Sequence, residues 1–182
     1  MSRVSAPIRF KARLSRPLQP AGADWTFLVL PAAASAKLPA RAQVTVTGTF
    51  AGHRFQATLQ PDGQGSHWLK VDAALAAAAG AAPGQTVALA IAPLDREPEP
   101  QVPDDLAQAL DAHPQALATW QDITPLARRD WIQWITSGRK AETRPKRIAS
   151  ACDMLARGKR RACCFDRSGM YSKALSAPQA AP

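Results

Sequence analysis

The sequence predicts an α+β protein in which a small N-terminal β-barrel of about six strands precedes a basic helical C-terminal domain. Residues 1–95 contain short stretches with strand alternation, separated by turn-forming residues. Residues 96–103 are rich in proline and acidic side chains, which is typical of a stiff linker. Residues 104–175 show helical periodicity and capping signals, and residues 176–182 are predicted to be a disordered tail.

The strand predictions depend on alternation and on turn chemistry. The predicted strands are residues 8–14, 25–30, 43–50, 53–60, 67–71 and 86–91. The clearest pair is a hairpin joined by Ala51 and Gly52. Two short helices are predicted between strands, over residues 32–37 and 72–79, the second capped by Asp72. Short strands of this number and spacing favour a closed barrel.

The C-terminal domain is predicted to contain about four helices. Asp104 and Thr143 are predicted N-caps, and Thr124 followed by Pro125 is a strong helix start. Two helices carry apolar stripes, formed by Leu126, Trp131, Trp134 and Ile135 and by Ile148, Ala151, Cys152 and Leu155. These stripes predict a modest helical core.

The charge distribution predicts an anionic partner. The chain has a formal net charge of +9. Residues 128–173 contain thirteen Lys and Arg against four acidic residues, while the rest of the sequence sums to zero. Such a localised field attracts nucleic acid or another acidic surface, although a solvated basic face is the alternative. The residues predicted to bind the anion are Arg157, Lys159, Arg160 and Arg161.

Aromatic residues do not interleave with these basic runs. The sequence therefore favours non-specific phosphate contact over base stacking in this region.

Three cysteines form a candidate thiol site. Cys152, Cys163 and Cys164 form a candidate metal set for Cu(I) or Zn(II), or a redox site, since nearby basic residues lower a thiol pKa. No C-x-x-C pair is present, and the alternative is that Cys152 packs in the core.

His67 and Trp68 are candidate ligand-binding residues at the mouth of the barrel. A pairing of His67 with Asp62 or Asp72 is the acid–base alternative. The order of residues fits neither a Ser-His-Asp triad nor a phosphate-binding loop, so we expect the protein not to be an enzyme.

The N-terminal sequence lacks the apolar stretch of a secretion signal, and no run approaches the ~20 apolar residues of a membrane span. We therefore expect a cytoplasmic protein with reduced thiols and no resident cofactor.

Two groups of motifs resemble known bacterial domains. The first group resembles a bacterial barrel domain of unknown function and comprises residues 35–41 (SAKLPAR), 46–49 (VTGT) and 64–71 (QGSHWLKV). The second group resembles the YdeI/OmpD-associated helical domain and comprises residues 102–106 (VPDDL), 123–125 (ITP), 128–131 (RRDW) and 140–144 (KAETR). Together the resemblance covers roughly residues 8–175.

The resemblance implies a role in bacteriocin protection or resistance to antimicrobial peptides, and it supplies no catalytic residues. We therefore predict a non-catalytic stress-protection protein that binds a ligand or protein partner. The alternatives are a basic nucleic-acid-associated module and a thiol-based metal or redox protein.

Overall fold

The computed structural model describes residues 5–138, 140–162, 165–170 and 175–182. The chain divides into two compact units. The barrel unit comprises Met1–Arg96 together with Asp166–Pro182, and the helical unit comprises Glu97–Phe165.

The barrel unit contains an antiparallel six-stranded sheet with the order β1-β6-β3-β4-β5-β2. The strands are β1 (Ile8–Arg13), β2 (Thr26–Val29), β3 (Val44–Phe50), β4 (His53–Pro61), β5 (His67–Val71) and β6 (Thr86–Pro93). Ser15, just after β1, exchanges two backbone hydrogen bonds of 2.8 Å with Phe27 of β2. This bridge joins the two edges of the sheet, so the barrel is nearly closed and the predicted fold class is confirmed.

Close strand packing in the barrel depends on a glycine. A side chain on Gly48 of β3 would overlap the Ala90 carbonyl of β6. The hairpin between β3 and β4 turns at Ala51 and Gly52, whose φ angles are 47° and 85°. Both turn residues have positive φ, as the tight hairpin predicted from sequence requires.

Two short helices, α1 (Ala32–Ser35) and α2 (Ala73–Ala79), connect strands of the barrel. The Asp72 side chain accepts a 2.8 Å hydrogen bond from the Leu75 amide, which confirms it as the N-cap of α2. Helix α1 is shorter than predicted, ending at Ser35 rather than Lys37.

The C-terminal segment lies along the barrel. The Leu18 amide donates to the Gln179 carbonyl at 2.7 Å, and the Ala181 amide donates to the Arg16 carbonyl at 2.8 Å. The structure thus differs from the disordered tail expected over residues 176–182. Low side-chain complexity predicts disorder, but backbone pairing at a strand edge needs no particular side chains.

The helical unit has its own core. Its helices are α3 (Asp104–Asp111), α4 (Pro114–Asp122), α5 (Pro125–Thr136) and α6 (Thr143–Ala156). Thr124 caps α5 by accepting from the Ala127 amide at 3.2 Å, as predicted. The predicted caps Asp104 and Thr143 are wrong. Both are first helical residues, after Pro103 and Glu142 respectively, and neither preceding residue makes a side-chain cap bond.

The buried stripe of α6 is confirmed, since Ile148, Ala151, Cys152 and Leu155 are all buried. The stripe of α5 is only partly as predicted: Trp131 is fully buried, whereas Trp134 and Leu126 are half-buried. Over the described part of the chain, no helix is long and apolar enough to cross a membrane.

Candidate functional site

The positive charge counted for each structural unit is distributed differently from the charge counted along the sequence. The barrel unit contains twelve Lys and Arg and five acidic residues, whereas the helical unit contains eleven and nine. The basic stretch over residues 128–173 crosses the boundary between the units, and it omits acidic residues that lie earlier in the helical unit. The barrel unit therefore carries most of the net charge.

The predicted anion-binding residues of the helical unit are exposed, but three of them face carboxylates. Arg157 pairs with Asp153 at 3.1 Å, and Arg160 pairs with Asp122 at 2.5 Å. A third, Arg161, lies 4.0 Å from the buried carboxylate of Asp130. An external anion would compete with these internal partners, so the role of this set, which includes Lys159, stays a prediction.

Other arginines of the helical unit are also paired. Glu99 and Glu97, in the predicted linker, bind Arg128 and Arg129 of α5, the latter pair at 2.7 Å. Further along the chain, the hydrogen bond from Arg144 lowers the pKa of the Asp105 carboxyl. The linker thus contributes ion pairs to α5, which its proline content alone does not predict.

A different basic surface lies on the barrel. Arg9, Lys11 and Arg13 occupy alternate positions of β1 and are exposed, while the residues between them contribute to the core. None of the three has a carboxylate within ion-pair distance among the residues described. Next to β1, strand β6 presents the small side chains of Ala88 and Ala90, which lie opposite Lys11 and Arg9. The short alanine side chains of β6 beside the long basic side chains of β1 leave space on the surface for a ligand.

We call this surface the basic face and define it by the outward residues of β1, β6, β3 and β4. Its members are Arg9, Lys11, Arg13, Ala88, Ala90, Ala92, Thr47, Thr49 and Arg54. Two open grooves of about 480 and 360 Å³ lie on it. Arg9 and Lys11 line the first, Arg54 lines the second, and Thr49 lines both. Guanidinium, ammonium and hydroxyl groups at such grooves are suitable donors to a phosphate or carboxylate.

An aromatic patch lies on the outer face of β2 and β5. We define it by Trp25, Phe27 and Trp68 together with Lys70. The Phe27 ring lies 6.5 Å from Trp25 and 6.2 Å from Trp68, and the Lys70 ammonium lies 4.8 Å from the Trp25 ring centre. Phe27 and Trp68 are absent from the barrel core, whereas their neighbours Leu28 and Leu69 belong to it. The aromatic side chains therefore project outward.

The structure places the predicted pair His67 and Trp68 on opposite faces of β5. His67 is 1% exposed and points inward, while Trp68 is half-buried on the outside. Adjacent residues of a strand alternate between faces, so the two side chains do not line one site. The ligand-binding role predicted for Trp68 stays a prediction.

Buried hydrogen bonds hold the His67 ring. Its Nε2–H donates to the Ala42 carbonyl at 2.9 Å, so Nδ1 accepts from the Ser35 hydroxyl at 2.5 Å. Burial lowers the pKa of His67, which keeps this neutral form. The suggested partners Asp62 and Asp72 instead accept hydrogen bonds from backbone amides. This arrangement ties α1 to β5 and gives no exposed acid–base pair.

The predicted thiol site is only partly within the described residues. Cys152 is 2% exposed in the core, and burial raises the pKa of its thiol. Cys163 and Cys164 lie outside the described residues. Among residues that the structure describes, His, Cys, Asp and Glu form no group of three that could hold a metal. Binding of Cu(I) or Zn(II) stays a prediction.

Sequence reasoning missed the basic face, and it found only Trp68 of the aromatic patch. The available signal for the basic face was Arg9, Lys11 and Arg13 at alternate positions in a stretch without acidic residues. The aromatic patch had no local signal, because Trp25 and Trp68 are brought together only by pairing of β2 with β5.

Comparisons with known proteins match both halves of the chain. Residues 10–91 match the family described as a domain of unknown function, DUF1905. Residues 99–158 match the family described as bacteriocin-protection, YdeI or OmpD-associated. No curated protein matches the sequence. The chain therefore joins a barrel region that matches the DUF1905 family model to a helical region that matches the model of the bacteriocin-protection, YdeI or OmpD-associated family.

Proposed function

We propose that this chain is a non-catalytic, cytoplasmic stress-protection protein that holds an anionic ligand on the basic face of its barrel. The observation that carries the proposal is the strip formed by Arg9, Lys11 and Arg13, whose charges meet no carboxylate among the described residues. The family description of the helical domain supports the protective role.

The geometry of the strip suits an extended anion. Alternate residues of a strand are about 6.6 Å apart, so the three cations form a short row, of which Arg9 and Lys11 line the first groove. Because Thr49 and Arg54 face each other on β3 and β4, the far side of the grooves also offers donors. A ligand with several anionic groups can contact both sides at once.

The charge of the barrel unit also decides which ligands are disfavoured. A surface with twelve basic and five acidic residues attracts anions and repels cations. Protection by direct capture of a cationic peptide on this face is therefore the less favourable mechanism. Binding of an anionic molecule in the cell fits the charge better.

A matched pair of variants tests the proposal. The barrel variant replaces Arg9, Lys11 and Arg13 with Gln, and the control makes the same change at Arg157, Lys159 and Arg160. We expect the barrel variant to bind inorganic polyphosphate more weakly and with less salt dependence, because fewer counterions are displaced. The control should retain affinity, since two of its arginines already have internal partners.

The cellular test uses the same two variants. A strain lacking the protein is challenged with a bacteriocin after complementation with each variant. Protection by the control but not by the barrel variant supports the proposal. Loss of polyphosphate binding in the helical variant alone would assign the site to the helical unit instead.

A further inference from the structure

We infer that the barrel binds single-stranded nucleic acid, with its phosphates on the cations of β1 and its bases on the aromatic patch. The inference rests on the proposed function, because it assigns a ligand class to the same basic face. It adds a second contact surface, the outer face of β2 and β5.

The two surfaces lie on neighbouring strands. The hydrogen bonds between Ser15 and Phe27 bring the end of β1 beside β2, with both side chains on the outer face. Neighbouring strands are about 4.8 Å apart. Continued by two residues, this antiparallel register places Arg13 at the level of Val29, which pairs with Trp68 of β5. The row of cations therefore begins beside the aromatic patch at Arg13 and continues away from it along β1 through Lys11 and Arg9. A single strand that passes from β1 to β2 can place its phosphates on these cations and its unpaired bases on the patch.

The aromatic patch is accessible and firmly held. Trp25 and Trp68 are half-exposed, and Val29 beside them is 40% exposed. Phe27 is 3% exposed and contacts both tryptophans, the Trp68 ring in an edge-on arrangement at 86°. A buried ring between two half-exposed rings fixes their positions before a ligand arrives, which reduces the entropy cost of binding.

Lys70 supplies a cation within the patch. Its ammonium lies over the Trp25 ring at 4.8 Å and is exposed, with no carboxylate partner in the described part of the chain. A base that stacks on Trp25 would displace this ammonium, which could then contact the adjacent phosphate. The face of the Trp25 ring that Lys70 covers is thus accessible to a base, which would take the place of the ammonium group.

The combination of surfaces selects among ligands. Cations alone would fit any polyanion, and aromatic rings alone would fit an uncharged sugar. A row of cations beside stacking rings fits a ligand with both phosphates and flat bases. Duplex nucleic acid is disfavoured, because its bases are already stacked and paired.

The test compares ligands with equal charge. The full chain is titrated with a 15-nucleotide oligothymidylate, an abasic strand with the same number of phosphates, and an eight-base-pair duplex whose two strands together carry that number. We expect the oligothymidylate to bind about 5- to 150-fold more tightly than the abasic strand, as expected for one stacked base. Tryptophan fluorescence should be quenched by oligothymidylate only.

Variants locate the stacking contact. Trp25→Ala should abolish the preference for oligothymidylate and leave affinity for the abasic strand unchanged. Trp25→Phe should keep part of the preference, which separates loss of stacking from a folding defect. Leu18→Ala, which removes an apolar side chain 41% exposed, is the control and should behave as wild type.

The outcomes separate the inference from the proposed function. If the oligothymidylate and the abasic strand bind equally, the inference fails while the basic face remains an anion site. Tighter binding of the duplex would also overturn the inference. If neither strand nor polyphosphate binds, both the inference and the proposed function fail.

Discussion

Trp131 and Trp134 lie three residues apart on α5, but the structure predicts very different effects of removing them. Trp131 is completely buried, and its indole N–H donates to the Arg160 carbonyl at 3.2 Å. Truncation of a buried Trp to Ala costs about 3–5 kcal/mol, and loss of its edge-on contact with Trp134 adds ~0.5–1.5 kcal/mol. Arg160 is exposed, so water can donate a hydrogen bond to its carbonyl in the variant, and loss of the indole hydrogen bond should add little to the free-energy cost.

This cost is comparable with the whole stability of the helical unit. A core in a unit of about 70 residues rarely supplies more than ~3–5 kcal/mol. We therefore expect the helical unit of Trp131→Ala to be largely unfolded at 25 °C. Trp134 is half-buried beneath the Arg147 guanidinium, so Trp134→Ala should lose less than half as much and stay folded.

Urea unfolding followed by circular dichroism at 222 nm measures both effects, because the signal there comes mainly from helix. Trp131→Ala should lose much of the helical signal without urea, while Trp134→Ala shows a lowered midpoint. If the two variants unfold at the same midpoint as the wild type, the assigned core of the helical unit is wrong.

Three other predictions concern His67, the cysteines and the tail. Burial lowers the pKa of His67 below its ordinary value of 6.5, so the unfolded chain takes up a proton at a higher pH than the folded chain does. The stability of the barrel should therefore fall as the pH decreases through about 6.5. Urea midpoints measured at pH 7.5 and 5.5 should differ more in the wild type than in His67→Gln. Cys152 should resist a brief iodoacetamide pulse until denaturant is added, whereas at least one of Cys163 and Cys164 reacts quickly, as read by mass spectrometry. Deleting residues 176–182 should lower the melting temperature of the barrel, because each backbone hydrogen bond lost contributes ~0.5–1.5 kcal/mol.

Local signals account for most of the fold that could be predicted from sequence. Strand alternation, the turn at Ala51 and Gly52, and the caps Asp72 and Thr124 all depend on residues close together in the chain. Asp104 and Thr143 were predicted to be N-caps but are the first residues of their helices. The two positions are adjacent and favour similar residues, so the sequence pattern does not separate them.

Contacts between distant residues account for what sequence could not predict. The carboxylates of Asp122 and Asp130 that face Arg160 and Arg161 lie about 30 or more residues earlier, so the charge count along the chain overstated the free charge of the helical unit. The aromatic patch likewise depends on the pairing of β2 with β5.

Mapping the binding site by NMR tests the central claim most directly. The ¹⁵N-labelled full chain is titrated with inorganic polyphosphate, and backbone amide shifts are followed at low and high salt. We predict that salt-sensitive shifts concentrate at residues 9–13, 47–54 and 88–92 of the basic face. Shifts concentrated at residues 157–161, with the barrel unaffected, would contradict the account.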